Sequence, residues 1–405
     1  MDKKRIIGII IFIVFIVVFG YIIYRIFFRS PNQTGDTTGI NGSISGQFPG
    51  SQNGNGTLGG LPTSGNLPVS DTATPSEDFF VPSDFPTVRE ITLDPVKGTT
   101  VGANGGVKYY NQTDGKFYGV DSFGNAKLLT EEVFYNVQNV VWSPTKNESI
   151  IEYPDGANIY YNFDTKKQVT LPKHWENFSF SENVEKIAAK SVALSAENRW
   201  LVVSNPDGTD VQLVEALGNN ADKVTVDWSP NNQVVALAQT GEALGANRQD
   251  IHLVGINGEN FSPLTVEGRG FESIWSPEGK KILYSVYNSR NNFNPELWIA
   301  NAEGTTAGTG RKSLGLSTWA QKCAFQSERI LYCAVPSDLQ RGTGFAPDLA
   351  NNTQDVFYRI DIESGSRTQL TVDAFHVVQS MFLGDDGKNI YFTDKVQPGL
   401  YSLPL

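Results

Sequence analysis

A four-strand unit recurs through most of the chain, and this repetition constrains the fold more than any other feature of the sequence. Three copies of Trp-Ser-Pro begin at Trp142, Trp228 and Trp275. Each copy follows a short apolar stretch and precedes a polar turn and a second apolar stretch, as in IWSPEGKKILYSV from Ile274 to Val286. Weaker copies of the unit lie around Val101, Phe180, Phe325 and Phe382.

The unit has the chemistry of a β-hairpin. Ser-Pro followed by Asn, Asp or Gly favours a tight turn, and the stretch after the turn is rich in β-branched and aromatic residues. Each hairpin is followed by a third apolar stretch, such as ELWIANA from Glu296. A further turn then leads to a fourth stretch, such as KKQVTL from Lys166. The sequence therefore predicts antiparallel sheets of four strands each.

The number of stretches predicts how the sheets are arranged. Seven hairpins and seven third strands can be identified, but only six fourth strands follow them. The seventh has a match upstream of the first hairpin, in VREITL from Val88 to Leu93. A last sheet that takes its outer strand from the start of the repeat closes a ring and removes exposed sheet edges. We predict an all-β, seven-bladed β-propeller, with six blades as the alternative.

The repeated tryptophans are expected to be structural. Because Trp142, Trp228 and Trp275 occupy equivalent positions, we expect them to pack between neighbouring blades rather than to bind a ligand. The pattern Trp-Ser-Pro-x-Gly-Lys-x-Ile-x-Tyr at 275–284 resembles the repeats of TolB-like propellers. It is also similar to the propeller domains of prolyl-oligopeptidase-type peptidases. The resemblance covers residues 87–405 and implies a fold rather than a function.

The N-terminus has the pattern of a membrane anchor. Ile6 to Tyr24 reads IIGIIIFIVFIVVFGYIIY, without a charge, and as a helix it would span about 28 Å. The alternative, a cleaved signal peptide, has a shorter apolar region that ends at small residues. We predict a transmembrane helix over residues 6–28, in contact with the lipid bilayer. Lys3, Lys4 and Arg5 predict that residues 1–5 are a cytoplasmic tail.

The remaining chain is then expected outside the cytoplasm, in the periplasm or at the cell surface. Residues 29–86 are dominated by Gly, Ser, Thr, Asn and Pro and carry no apolar periodicity. Such a composition cannot bury enough surface to offset its ordering entropy, so we predict a flexible linker. The predicted domains are therefore the tail 1–5, the helix 6–28, the linker 29–86 and the propeller 87–405.

Composition argues against several classes of function. The net charge of −11 argues against nucleic-acid binding, which needs clustered Lys and Arg. Two cysteines and three scattered histidines do not suggest a zinc site, and no G-x-S-x-G, H-E-x-x-H, P-loop or EF-hand pattern occurs. We predict a non-enzyme without metal or cofactor. The alternative is a propeller enzyme, a lyase or hydrolase acting on a saccharide or peptide in the central funnel.

The two cysteines flank one hairpin. Cys323 and Cys333 lie symmetrically about Glu328, so in register they would face each other across two antiparallel strands. Cross-strand Cβ atoms are close enough for a disulfide to bridge them. We predict this disulfide if the domain is extracytoplasmic; two buried free thiols are the alternative.

Two loops interrupt the regular repeat length, at Thr240 to Arg248 and at Ser337 to Gln354. Insertions on a rigid scaffold often carry binding residues. We predict partner contact through Arg341, Phe345 and Asp348, although a loop folded over its own blade is an open alternative. The function predicted from the sequence is a membrane-anchored, non-catalytic module that binds a protein or a cell-envelope polymer.

Overall fold

In the computed structural model, the described residues are Val18 and residues 87–405 without 103, 104, 184, 185, 242, 246, 260 and 373. These residues form 28 strands in seven four-stranded antiparallel sheets. The first strands of most neighbouring sheets approach one another, as expected for blades that radiate from an axis. The prediction of seven blades is confirmed, and the six-bladed alternative is wrong.

The strands follow the chain in order. They are β1 (Arg89–Thr92), β2 (Val96–Val101), β3 (Val107–Asn111), β4 (Lys116–Val120), β5 (Ala126–Leu128), β6 (Asn139–Trp142), β7 (Glu148–Glu152), β8 (Asn158–Asn162), β9 (Lys167–Leu171), β10 (Trp175–Phe180), β11 (Ile187–Ser191), β12 (Trp200–Ser204), β13 (Gln212–Ala216), β14 (Val224–Val226), β15 (Val234–Ala238), β16 (Gln249–Gly255), β17 (Leu264–Val266), β18 (Arg269–Trp275), β19 (Lys281–Tyr287), β20 (Pro295–Asn301), β21 (Lys312–Ser313), β22 (Cys323–Phe325), β23 (Ile330–Pro336), β24 (Asp355–Asp361), β25 (Arg367–Leu370), β26 (Val378–Leu383), β27 (Asn389–Asp394) and β28 (Leu400–Pro404).

Short 3-10 turns interrupt the loops. They are Ala196–Asn198, Gly218–Lys223, Ser289–Asn291, Gly304–Thr306, Ala320–Lys322 and Pro347–Ala350. No helix among the described residues is long and apolar enough to cross a membrane. Apart from Val18, the predicted tail 1–5, transmembrane helix 6–28 and linker 29–86 lie outside the described residues.

The ring is closed by strands from both ends of the repeat. Blades 1 to 6 take four consecutive strands each, from β2–β5 to β22–β25, whereas blade 7 has the order β1-β28-β27-β26. Arg89 pairs with Ser402, and Glu90 pairs with Tyr401. The segment that the sequence assigns to the missing fourth strand is therefore the outer strand of the last blade, as predicted.

Strand direction defines two faces of the ring. We call face A the side that carries the loops between second and third strands and the loops from each outer strand to the next blade. Face B carries the other two sets of loops, including the Trp-Ser-Pro turns. Because β1 runs toward face A and β28 runs toward face B, the chain enters the ring and reaches Leu405 on face B.

The Trp-Ser-Pro motif forms the turn that begins each second strand. In blade 5, Ser276 is fully buried, and its Oγ accepts a hydrogen bond from the Lys281 amide at 2.9 Å. Ser229 accepts one from Val234 in the same way. Gly279 has a φ of +67°, a left-handed conformation that glycine and asparagine tolerate better than most residues. The residues of the motif therefore recur because they fit the geometry of this tight turn.

The three tryptophans lie between blades, as the repeat predicts. Trp142 of blade 2 packs with Phe117 of blade 1, their ring centroids 5.6 Å apart and nearly perpendicular. Trp228 joins a buried cluster shared by blades 3 and 4, and Trp275 packs against one shared by blades 4 and 5. Each indole thus replaces water at a joint between two sheets, which stabilises the ring by apolar burial.

Ring closure can be tested by removing β1. We expect a chain that starts at residue 94 to unfold roughly 5 °C or more below a chain that starts at residue 87, because the outer edge of β28 loses its partner. Thermal unfolding followed by circular dichroism measures the difference, and size-exclusion chromatography should show association through the open edge. Identical melting curves and monomeric elution for both chains would contradict the closure.

Candidate functional site

Both insertions that the sequence identifies lie on face A, and both contact the same loop of blade 5. We call residues 288–294, between β19 and β20, the blade 5 loop. One insertion lies between β15 and β16, and Asn247 donates a hydrogen bond from Nδ2 to Ser289 Oγ at 3.3 Å. The other lies between β23 and β24 and packs on the opposite side of this loop. The ring therefore brings together two insertions about 90 residues apart in sequence.

The second insertion is fixed to the blade 5 loop by a Gly-Thr-Gly segment. The amides of Gly342 and Gly344 donate to backbone carbonyls of the blade 5 loop at 2.9 and 2.8 Å. Between them, the fully buried Thr343 donates from Oγ1 to Asn294 Oδ1 at 2.9 Å. A Cβ atom on Gly344 would come within 2.4 Å of Tyr287 Cβ, so this close approach requires glycine.

Phe345 follows this anchor and remains 62% exposed. Its ring contacts Tyr287 and Phe293 edge-on, at centroid distances of 5.9 and 6.0 Å. The guanidinium carbon of Arg341 lies 5.7 Å from the Phe293 ring. Two of the predicted contact residues, Arg341 and Phe345, therefore share one aromatic base and stay accessible. A rigid exposed aromatic side chain of this kind loses little entropy when a partner covers it.

Asp348 lies elsewhere on face A. It belongs to the 3-10 turn Pro347–Ala350 and accepts a hydrogen bond from Asn351 Nδ2 at 3.2 Å. Together with Gln379 and Lys395 of blade 7 it lines a groove of about 430 Å³. The insertion thus extends from blade 5 toward blade 7, and the structure does not bring Asp348 to the Phe345 contact.

The first insertion contributes to a group of arginines that the sequence analysis did not single out. Arg248 donates to both carboxylate oxygens of Glu267, from Nη2 to Oε1 at 2.7 Å and from Nε to Oε2 at 3.0 Å. Arg290 and Arg311 each approach the same carboxylate within 3.4 Å. The hydrogen bond from Arg248 is the main reason why the pKa of Glu267 lies below its usual range. Three positive charges therefore surround one negative charge.

Arg248 and Arg290 line an open groove of about 1040 Å³ on blades 4 and 5, together with Glu267 and Glu296. The side chains of Arg248 and Arg290 are 48% and 67% exposed, whereas Glu267 is only 13% exposed. No sequence signal reveals this group, since its members come from four separate segments and follow no period. The insertion from Thr240 to Arg248 is the one feature of the sequence analysis that indicated this part of face A.

Four further ionisable groups lie between blades 6 and 7, below the face A surface. Lys322 Nζ lies 2.9 and 2.8 Å from the two carboxylate oxygens of Asp355, and both side chains are almost completely buried. Asp355 also accepts a hydrogen bond from the Val378 amide at 2.6 Å. Burial lowers the pKa of Lys322 and raises that of Asp355, and each shift is partly offset by the charge of the partner.

The second pair joins His376 and Asp394. His376 Nδ1 lies 3.0 Å from Asp394 Oδ2, which also accepts a hydrogen bond from the Val377 amide at 2.9 Å. Burial alone would raise the pKa of Asp394, yet the hydrogen bonds from His376 and from backbone amides hold it below its usual value. His376 and Asp394 are 2% and 4% exposed, and Asp394 also lines the groove beside Asp348. We interpret the first pair as fastening the first strand of blade 7 to blade 6, and the second as fastening the segment before that strand to β27 of blade 7.

The cysteines lie in blade 6, in the register that their spacing about Glu328 predicts. Cys323 faces Cys333 across β22 and β23, and a disulfide joins them. Both residues are buried in the cluster shared by blades 5 and 6. This site is therefore structural and lies away from the exposed side chains on face A.

The comparisons with known proteins support the fold alone. The chain matches no protein-family model. A stretch of 126 residues is 27% identical to part of a eukaryotic translation initiation factor 3 component from Emericella nidulans, a match that covers 29% of this chain and 17% of that protein. The chain therefore matches less than a fifth of that relative's length.

Among solved structures, an oligogalacturonate lyase from Vibrio parahaemolyticus is similar, with a TM-score of 0.53 and 12% identity over 78% of this chain and 93% of the lyase. The β-propeller domain of Cps50 (Swd1) from Myceliophteria thermophila has a TM-score of 0.52 and 9% identity over 78% of this chain and 97% of that domain. These neighbours are β-propellers. The finer likeness to TolB repeats stays a resemblance at the level of the motif.

The contribution of the buried Lys322–Asp355 pair to stability can be compared with that of an exposed ion pair. We expect Lys322→Met to lower the free energy of unfolding by about 3–5 kcal/mol, because Asp355 is left buried without its partner. The double variant Lys322→Met/Asp355→Leu should lose less free energy of unfolding than Lys322→Met alone. Chemical denaturation measures both, with Lys167→Met as the control, since its exposed pair with Asp207 contributes about 0–1 kcal/mol. A loss at Lys322 no larger than at Lys167 would contradict the interpretation.

The disulfide predicts a redox-dependent stability. Its cysteines are 10 residues apart, and closing so short a loop stabilises a fold by about 2–3 kcal/mol. We expect a reducing agent to lower the free energy of unfolding by that amount, whereas the variant with both cysteines replaced by alanine should not respond. Titration of two free thiols in the unreduced chain would show that the alternative is correct.

Proposed function

We propose that the chain is a membrane-anchored, non-catalytic module that holds a protein partner on face A, outside the cytoplasm. The observation that carries the proposal is the exposed Phe345 ring, which the Gly-Thr-Gly segment fixes to the blade 5 loop. Buried anchors in protein interfaces are most often aromatic or arginine side chains on a rigid base. Phe345 and Arg341 meet both conditions.

The distribution of exposed apolar side chains supports face A as the binding face. Single exposed apolar residues are ordinary on protein surfaces, so the contrast between faces is the informative quantity. Among the described residues, the loops of face A carry nine large apolar side chains that are more than a third exposed, and face B carries three. Those on face A are Leu93, Val133, Tyr135, Leu194, Leu244, Phe345, Leu349, Phe375 and Val396. Those on face B are Phe123, Val211 and Leu405.

The direction of the chain is consistent with this proposal. The chain enters the ring on face B, at β1. The strand β1 therefore begins on the face opposite the two insertions. The enzymatic alternative in the central funnel stays a prediction.

Site-specific crosslinking tests the proposed contact. Benzoylphenylalanine is placed at Phe345 in the full chain, and cells are irradiated before the membranes are isolated. We expect a protein adduct in the membrane fraction, because a partner that covers Phe345 lies within reach of the probe. The same probe at Phe123, which is 84% exposed on face B, is the control.

A matched pair of substitutions measures the strength of the contact. Phe345→Ala should weaken capture of the crosslinked partner by about 2 kcal/mol, as for a central aromatic contact, and Phe123→Ala should leave it unchanged. Equal adducts at the two positions, or none at Phe345, would count against the proposal.

A further inference from the structure

The charged side chains that line the groove on blades 4 and 5 are two arginines, Arg248 and Arg290, and two glutamates, Glu267 and Glu296. An arginine carries five N–H donors and no acceptor. Arg248 directs Nε and Nη2 to Glu267, and Arg290 directs Nη2 to the same carboxylate. The remaining N–H groups of these two half-exposed side chains face open space or the groove. Arg311 lies beside Glu267, so the charges in and next to the groove are three positive and two negative. This small positive excess contrasts with the net charge of −11 on the whole chain.

We infer that this groove binds the carboxylate side chains of an acidic segment of the partner protein. The inference rests on the proposed function in taking face A as the binding face, and it adds the chemical class of the ligand. Arginine pairs with carboxylates through parallel N–H···O bonds, which give direction as well as charge complementarity. Glu267 already occupies one edge of Arg248 and holds the guanidinium in place, so its other edge is available to a ligand.

The apolar neighbours of the groove favour a peptide over an acidic polysaccharide. Leu244 lines the groove and is 45% exposed, and Phe345 lies on the other side of the blade 5 loop. A peptide can present a carboxylate and an apolar side chain within a few residues of each other. A polyuronate chain presents carboxylates and hydroxyl groups but no apolar side chain for Leu244.

A substitution of Glu267 is expected to strengthen the binding of an acidic ligand, whereas substitution of the arginines weakens it. Its carboxylate neutralises part of the positive charge that a ligand would meet, and the arginines hold it in the charged form. Glu267→Gln keeps the size of the side chain and removes this competing charge. We therefore expect Glu267→Gln to bind acidic peptide more tightly than the wild type, by roughly threefold or more. A purely structural role for Glu267 predicts no gain.

The test uses the full chain in detergent and fluorescein-labelled poly-L-glutamate, with binding followed by fluorescence anisotropy. We expect binding that weakens as salt is added, and a loss of about tenfold or more in the double variant Arg248→Gln/Arg290→Gln. Arg329→Gln is the matched control, because Arg329 is 53% exposed on face B and is also paired with carboxylates. It should bind as the wild type does.

Three results would overturn the inference. They are no binding of poly-L-glutamate, an equal loss with Arg329→Gln, and preferential binding of polygalacturonate, which would identify a saccharide ligand instead. The Phe345 contact is tested by crosslinking and not by poly-L-glutamate, which has no apolar side chain. Absence of poly-L-glutamate binding therefore argues against the groove and not against the Phe345 contact. Absence of a crosslink at Phe345 argues against that contact and not against binding of acidic residues in the groove.

Discussion

The pairing of β1 with β28 is the interaction on which the rest of the structure depends. It joins segments more than 300 residues apart and gives the outer strand of blade 7 to a sheet that would otherwise end at an open edge. Once the ring is closed, every blade is held between two neighbours. The loops of face A then have fixed positions relative to one another, as binding residues on a scaffold require.

The joint between blades 6 and 7 combines apolar packing with buried ionisable groups. Phe357 of blade 6 packs against Phe392 of blade 7, their ring centroids 5.4 Å apart, much as Trp142 packs beside blade 1. Between blades 6 and 7, Lys322 with Asp355 and His376 with Asp394 are buried and hydrogen-bonded to the backbone that leads into β26. A buried ion pair is a weak source of net stability but tolerates few geometries. The two pairs therefore fix the position of β26 in blade 7, the blade that closes the ring.

Two sets of exposed side chains lie around one loop of face A. The Gly-Thr-Gly segment presents Phe345 and Arg341 on one side, and Arg248 and Arg290 line the groove on blades 4 and 5 on the other. Apolar burial supplies affinity, while charged groups mainly select the partner and its orientation. On the proposed function, this surface would take a protein segment that carries acidic and apolar residues together.

The sequence by itself determined the architecture. The spacing of the Trp-Ser-Pro units, the turn preferences of Ser, Pro, Asn and Gly, and the missing fourth strand predicted seven blades and the closing segment, because these features are local to each repeat. It also predicted that Cys323 and Cys333 oppose each other, since a hairpin fixes its own register. Only the tertiary structure separated Asp348 from Phe345 and gathered the arginines around Glu267. Those contacts join different blades, and their distances depend on the rotation from one blade to the next, which no local pattern encodes.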